Sequence, residues 1–180
     1  LFRDQLRAIL RASAYGRVRI LVPMVTHRAE MAAVRSILGQ CAFELREAGH
    51  AIAERVDLGA MIEVPAAALA IDTLLPEVDF CSVGTNDLIQ YLLAVDRGND
   101  ALGPMCRPDH PAVKRVLRDV LAACREAGKP VAVCGELAGD PEHTRLLLQL
   151  GLTEFSMHPS SLLEVRRAIR DIDLAQIRRS

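Results

Sequence analysis

The segments LGAMIEV (58–64), PAAALAIDTLL (65–75) and DFCSVGT (79–85) follow one another closely in the sequence. The first and third are continuous apolar runs of strand length, which is typical of strands buried on both faces of a sheet. The middle segment begins with Pro65, a residue that is favoured in the first turn of a helix. Together they predict a strand, a helix and a second strand, which is the repeating unit of a parallel α/β sheet.

The same alternation continues on both sides of this unit. Further strand-like runs are VRILVPMV (18–25), PVAVCGE (130–136) and EFSM (154–157). Apolar residues with helical spacing predict helices over 4–14, 28–47, 86–93 and 113–124. Alternating helices and buried strands therefore predict the α/β class with a parallel sheet.

Two parallel architectures fit five such strands: an open doubly wound sheet, or part of a TIM-type (β/α)₈ barrel. A complete barrel takes roughly 250 residues, so the 180 residues of this chain would hold about five βα units of it. The opening helix has no strand before it, which agrees with a cut inside a barrel. We therefore expect one partial barrel domain over residues 1–180, from the C-terminal part of a longer protein.

The composition excludes several classes of function. The chain has 22 Lys and Arg against 23 Asp and Glu, for a formal charge of −1, so it lacks the basic field that nucleic-acid binding needs. Its apolar runs are too short or too interrupted to span a membrane, so we expect no membrane insertion. The five Cys form no CxxC pair, which argues against a zinc site or a disulfide framework. Reduced thiols predict a cytoplasmic protein.

Polar residues gather where the predicted strands end, which is where parallel α/β folds place their sites. Glu63 is a carboxylate inside an apolar strand, and an unpaired charge there is costly. Asp87, after the next strand, could share a cation with Glu63, because two carboxylates with water and substrate oxygens describe a typical Mg²⁺ site. The alternative is that Glu63 pairs with an arginine and Asp87 caps the following helix.

The GTND segment, residues 84–87, has a second possible use. Gly84 allows a ligand close to the backbone, and the first amides of the following helix could bind a phosphate or carboxylate. Arg97 is the nearest cation along the chain and could clamp such an anion with two hydrogen bonds. The alternative for Arg97 is a surface pair with Asp96 or Asp100.

Cys134 differs from the other thiols because it ends a predicted strand, where it could face a substrate as nucleophile or proton donor. A core position is the alternative. Cys41 and Cys124 lie on apolar helix faces, and Cys81 lies inside a strand, so all three are predicted to pack in the core. None of the five histidines is predicted to take part in the chemistry. His158 follows the fifth strand and could approach the rim of the site.

Five blocks carry a more specific signal: RDQLRAILRAS, GAMIEVPAAAL, DFCSVGTNDLIQYLLAVDRGN, GKPVAVCGELAGDP and EFSM. In this order they closely resemble the C-terminal domain of phosphoenolpyruvate-protein phosphotransferase, Enzyme I of the bacterial sugar phosphotransferase system. The resemblance implies a TIM-type barrel that binds phosphoenolpyruvate and Mg²⁺ and forms a homodimer. It implies Glu63 and Asp87 as metal ligands, Asn86, Asp87 and Arg97 as phosphoenolpyruvate contacts, and Cys134 as the acid that converts the enolate to pyruvate.

The resemblance also implies that some functional parts of the family's proteins belong to another domain. In this family the phosphorylated histidine and the contact with the histidine-containing phosphocarrier protein belong to a separate N-terminal domain, so the isolated chain is expected to be inactive. The loop at 103–107 departs from the Tyr-containing family segment, which leaves a fused multiphosphoryl transfer protein possible.

Three other functions stay open at this point. One is the related barrel of pyruvate phosphate dikinase or phosphoenolpyruvate synthase. Another is a Mg²⁺-dependent lyase acting on pyruvate enolates, although such a lyase has no need of the thiol at Cys134. The third is a dimerisation module without catalysis.

Overall fold

A parallel sheet of five strands forms the centre of the computed structural model, which describes residues 1–173. Each strand pairs with the next along the chain, in the order β1-β2-β3-β4-β5. A doubly wound sheet has a permuted order, whereas successive neighbours are the order of a barrel wall. The prediction of an α/β fold with about five units of a barrel is therefore confirmed. The strands are β1 (Arg19–Val22), β2 (Asp57–Ile62), β3 (Phe80–Gly84), β4 (Val131–Cys134) and β5 (Glu154–Phe155).

Nine α-helices connect or flank these strands within residues 1–173, and the prediction of a domain over 1–180 extends beyond that range. None of them is long and apolar enough to cross a membrane. They are α1 (Phe2–Ala12), α2 (Arg28–Glu47), α3 (Pro65–Leu69), α4 (Ile71–Leu74), α5 (Thr85–Leu93), α6 (Pro111–Glu126), α7 (Glu136–Gly139), α8 (Pro141–Gln149) and α9 (Leu162–Arg170).

The apolar faces of α2 and α6 are the ones that the sequence spacing predicts. Buried residues recur every three or four positions on both helices, so each helix packs one stripe against the sheet. On α2 they are Met31, Val34, Leu38, Cys41 and Leu45, and on α6 they are Val113, Val116, Leu117, Val120, Leu121 and Cys124.

Some predicted boundaries are wrong for identifiable reasons. The single helix predicted over 65–75 is broken into α3, α4 and a 3₁₀ turn at Leu75–Glu77, because Ala70 leaves the helical region with φ −110° and ψ 32°. The strand predicted over 18–25 stops at Val22, where Pro23 has no N–H to donate to a ladder. Met24 then turns the chain with a positive φ of 55°.

One carboxylate ties the starts of β2 and β3 together, at the end of the sheet opposite the predicted site. Asp79 Oδ2 accepts a 2.9 Å hydrogen bond from the Leu58 N–H, and Asp79 Oδ1 lies 2.5 Å from the Arg55 guanidinium. Arg35 makes a third contact at 3.4 Å. Burial alone raises the pKa of Asp79, but the Leu58 hydrogen bond and the two arginines outweigh it, and the pKa lies below its ordinary value.

We expect Asp79→Asn to lower the free energy of unfolding by about 1–2 kcal/mol at pH 7, because it removes a charge that two arginines and an N–H stabilise. The folded-state pKa is lowered, so this stability is present above the unfolded value, about 3.9 for Asp, and disappears as the pH falls through the folded value. Urea unfolding from pH 2 to pH 7 measures the difference between the variant and the parent chain.

Asp109→Asn is the matched control, because Asp109 pairs with Arg107 on the exposed surface. Its effect should be much smaller, since exposed ion pairs contribute little. An equal effect of the two substitutions, or a loss at Asp79 that persists unchanged at pH 2, would contradict this account of Asp79.

Candidate functional site

The carboxyl ends of β2, β3 and β4 meet at one edge of the sheet. Ile62 pairs with Val83, and Gly84 pairs with Cys134, so the residues that end these strands lie in adjacent positions. Because the ladders are parallel, Glu63, the first turn of α5 and Cys134 all fall at this edge. The candidate residues predicted from the sequence thus lie at this edge.

Glu63 is only 4% exposed. Its Oε1 accepts a 2.7 Å hydrogen bond from the backbone N–H of Met24, whose left-handed conformation belongs to the turn after β1. Position 84 must be glycine for this arrangement, because a Cβ there would lie 2.7 Å from Glu63 Oε2. A side chain on residue 84 would therefore displace the carboxylate.

No arginine, lysine or histidine within residues 1–173 comes within 4.0 Å of the Glu63 carboxylate. The alternative in which Glu63 pairs with an arginine is therefore not the arrangement found. A buried carboxylate with a backbone N–H but no cationic side chain beside it fits a bound cation, which would offset the cost of burying the charge.

Asp87 lies in the first turn of α5, and it does not cap that helix through its side chain; the N-cap position is Gly84. Its Oδ1 is 3.7 Å from Arg97 Nη2, and both side chains are partly exposed. The Arg97 backbone N–H is held by Gln90 Oε1 at 3.1 Å. The Arg97 side chain thus contacts Asp87, in the first turn of α5. The alternative prediction, a surface pair with Asp96 or Asp100, is not the arrangement found.

The carboxylates at this edge offer oxygen ligands of the kind that Mg²⁺ prefers. In the described part of the chain, no cluster of three or more His, Cys, Asp or Glu side chains is arranged to hold an ion. Mg²⁺ is commonly held by one or two carboxylates and completes its shell with water and substrate oxygens. Glu63 and Asp87 supply that number and type of ligand.

Asn86 has its side-chain amide fixed in one orientation. Its Oδ1 accepts a 3.0 Å hydrogen bond from the Glu136 N–H at the start of α7, which leaves the NH₂ group as the free donor. Gly135 makes this contact possible with a φ of 97°, and a Cβ at Gly135 would lie 2.7 Å from Asn86 Oδ1. The amide of Asn86 can therefore donate to an anionic ligand.

The Cys134 thiol is half-buried between two groups of β3. Ser82 Oγ donates to Cys134 Sγ at 3.4 Å, and Sγ donates to the Val83 carbonyl at 3.4 Å. Thr85 Oγ1 donates to the Cys134 carbonyl at 2.7 Å, so the end of β4 is tied to the start of α5. The sequence predicted no role for Ser82, although it lies two residues before Gly84, on the same face of β3.

The other thiols differ from Cys134 in their surroundings. Cys41, Cys81 and Cys124 are buried, as predicted. A hydrogen bond with Cys124, together with burial, raises the pKa of Cys81 far above its ordinary value, so that thiol stays protonated. Cys134, in contrast, lines an open cavity of about 760 Å³.

Two neighbouring cavities share Asn86 and Glu136 as a common wall. The larger is lined by Cys134, His143 and His158. The smaller, about 260 Å³, contains Arg97. Arg97 and Cys134 thus line two adjoining cavities, and Asn86 lies between them as part of both walls.

Comparison with known proteins gives a consistent picture. Residues 1–174 match the family described as PEP-utilising enzyme, PEP-binding domain. The chain is 50% identical over 169 residues to the phosphoenolpyruvate-protein phosphotransferase of Cupriavidus necator, covering 94% of this chain and 29% of that protein. It is 45% identical over 177 residues to the protein of the same name from Listeria monocytogenes, covering 98% and 31%. The chain therefore spans about 30% of the length of these curated relatives.

Solved structures with low sequence identity share the fold. A citrate lyase from Burkholderia xenovorans superposes with a TM-score of 0.68 at 24% identity, over 95% of this chain and 54% of that one. A HpcH/HpaI aldolase/citrate lyase family protein from Burkholderia cenocepacia gives 0.62 at 19% identity, over 99% and 70%. At these identities the likeness concerns the fold alone.

Proposed function

Since the chain belongs to the family of PEP-utilising enzymes, as their PEP-binding domain, we propose that it is the phosphoenolpyruvate- and Mg²⁺-binding part of a cytoplasmic phosphotransferase. The proposal implies a longer, intact protein in which a histidine-bearing domain accompanies this chain. That protein would move the phosphoryl group from phosphoenolpyruvate to its histidine and then to a phosphocarrier protein. The observation that carries the proposal is the meeting of a buried carboxylate without a cationic partner, an oriented amide donor and a half-buried thiol at one sheet edge.

Glu63 and Asp87 would hold the metal in this proposal. Bound Mg²⁺ supplies positive charge to the phosphoryl and carboxylate oxygens of the substrate during transfer. The Glu63 carboxylate is already oriented by the Met24 N–H, so it needs little rearrangement to act as a ligand. Asp87 would exchange its 3.7 Å contact with Arg97 for the metal, which frees the guanidinium for the substrate.

Asn86 and Arg97 would bind the substrate. The Asn86 NH₂ group is the donor left over from the Glu136 contact, and the Arg97 guanidinium can offer two parallel N–H groups to a phosphate or carboxylate. Once the P–O bond of phosphoenolpyruvate breaks and the histidine has accepted the phosphoryl group, the remaining enolate needs a proton on carbon. Cys134 would donate it from sulfur, forming pyruvate and leaving a thiolate that accepts a hydrogen bond from Ser82.

Two other functions have less support. The barrels of pyruvate phosphate dikinase and phosphoenolpyruvate synthase would use a similar site, but the curated relatives at 45–50% identity are named phosphoenolpyruvate-protein phosphotransferases. A lyase acting on pyruvate enolates would share the fold, yet it gives no use for a thiol held between Ser82 and Val83.

The first test concerns the metal ligands. In the intact protein, Glu63→Gln or Asp87→Asn should reduce Mg²⁺-dependent pyruvate formation at least a hundredfold, because each removes a ligand charge while nearly keeping the shape. Steady-state assays across a range of Mg²⁺ concentrations measure the effect. Glu77→Gln is the control, since Glu77 is a partly buried glutamate that pairs with Arg28 away from this edge. Wild-type turnover in both site variants would refute the assignment.

The second test separates Cys134 from a packing cysteine. Cys134→Ala should abolish pyruvate formation, while transfer of the phosphoryl group to the histidine falls much less, because Mg²⁺ and Arg97 still stabilise its charge. Cys124→Ala removes a fully buried thiol and should lower stability by about 1–2 kcal/mol without a specific catalytic defect. Pyruvate release and histidine phosphorylation are measured at a temperature where both variants stay folded. Equal turnover would mean that the Cys134 thiol only packs.

The third test concerns the homodimer. Within residues 1–173, β1 and β5 each pair on one side only, and a cavity of about 460 Å³ on the sheet is lined by Leu21, Phe80 and Phe155. Such edges favour pairing with another chain. We expect light scattering at micromolar concentration to show a dimer or a higher oligomer. Leu21→Lys should weaken this association. Ala8→Lys, on the exposed face of α1, is the control and should not. A monodisperse monomer would contradict this expectation.

A further inference from the structure

A carboxylate–histidine pair lies in the Cys134 cavity, and the proposed function does not use it. His143 Nδ1 is 2.8 Å from Asp140 Oδ2, and both residues line the same cavity of about 760 Å³ as Cys134. The His143 side chain is 24% exposed, so it is in contact with solvent yet held in place. The pair is therefore positioned to exchange protons with the contents of this cavity.

The start of α8 fixes the carboxylate of this pair. Asp140 is the N-cap residue, and its Oδ1 accepts a 2.9 Å hydrogen bond from the Glu142 N–H. With Asp140 Oδ2 as the acceptor of this contact, His143 Nδ1 is the donor. The nitrogen of His143 that can take up or release a proton is then Nε2.

His158 lines the same cavity with different partners. Its Nδ1 lies 2.8 Å from Ser160 Oγ and accepts a 3.3 Å hydrogen bond from the Ser160 N–H, as an N-cap of the 3₁₀ turn Pro159–Ser161. Among residues 1–173 no carboxylate lies within ion-pair distance of His158. The Asp140 carboxylate fixes the orientation of the His143 ring, whereas the described residues give His158 no carboxylate partner. The two histidines thus provide a matched pair for experiment.

The thiol needs a proton source after it has reacted. In the proposed reaction Cys134 becomes a thiolate, and its two neighbours cannot restore it: the Val83 carbonyl has no proton to give, and the Ser82 hydroxyl is a far weaker acid than a thiol. The titratable side chains around the cavity, apart from Cys134, are Glu136, Asp140, His143 and His158. Of these side-chain types, histidine is the one that commonly serves as a proton shuttle.

We propose that His143, held by Asp140, returns the proton to Cys134 through water in the cavity after each turnover. The His143 Nε2–H bond breaks and the Cys134 S–H bond forms, and the neutral imidazole then takes its next proton from bulk solvent. In the reverse direction the imidazole removes the proton from the thiol. This inference rests on the proposed role of Cys134 as the acid, and it assigns Asp140 as a positioning residue.

Exchange of the methyl hydrogens of pyruvate tests the proposal without phosphoryl transfer. The intact protein is mixed with Mg²⁺ and pyruvate deuterated at the methyl group, and loss of deuterium to water is followed by NMR. The Cys134 thiolate removes a deuteron from carbon, and the label reaches solvent through His143. We expect His143→Ala to slow the exchange about a hundredfold, at the lower end of the range for acid–base groups, and free imidazole to restore it. His158→Ala should exchange at the parent rate.

A further variant, Asp140→Asn, keeps the helix cap, because asparagine caps as well as aspartate. It removes the carboxylate charge next to the His143 ring. It should slow the exchange by less than His143→Ala does, and circular dichroism should show an unchanged fold. Equal rates for His143→Ala and His158→Ala would overturn the proposal. So would a loss at His143 that imidazole does not restore, because that pattern indicates a structural role.

The parent protein and Cys134→Ala separate this inference from the function on which it rests. If the parent exchanges and Cys134→Ala does not, the thiol is the acid, and the result at His143 decides the present proposal alone. If Cys134→Ala exchanges as fast as the parent, or the parent does not exchange, the assignment of Cys134 fails and the relay through His143 fails with it.

Discussion

The site depends on one costly feature, a glutamate carboxylate that is 4% exposed at the end of a parallel strand. Within residues 1–173 its recorded partner is a backbone N–H, and the backbone around it has adapted to keep it there. Met24 adopts a left-handed conformation, which costs energy in a residue with a side chain, and position 84 has no room for a Cβ. A role in stability alone would not explain this cost, whereas the proposed cation site would.

Much of the fold could be predicted because it depends on patterns that the sequence displays locally. The spacing of apolar residues predicts which face of α2 is buried, since one stripe of that helix must face the sheet. The order of the strands was not determined in this way, because five buried strands fit two parallel architectures equally well. The ends of elements were also missed where single residues decide them, such as Pro23 after β1 and Ala70 between α3 and α4.

The positions of the candidate site residues could be predicted for a topological reason, while their partners could not. Parallel strands bring Glu63, Asp87 and Cys134 to one edge whatever the details of packing. Which atom faces which depends on contacts between distant parts of the chain, such as Met24 with Glu63 or Ser82 with Cys134. Asp140 likewise caps α8 through Oδ1 while its Oδ2 contacts His143, a second partner that the capping pattern alone does not predict.

The amide of Asn86 connects the two halves of the site. Its oxygen accepts a hydrogen bond from the Glu136 N–H. This contact requires the positive φ of Gly135, the residue directly after Cys134. Any shift of Gly135 would therefore move the thiol of Cys134 and the donor group of Asn86 together. Since the cavities that contain Arg97 and Cys134 share this amide as a wall, phosphoryl binding and proton donation would be aligned by one short backbone segment. A substrate that must lose a phosphoryl group and gain a proton on carbon needs such alignment, because both groups have to meet it in one position.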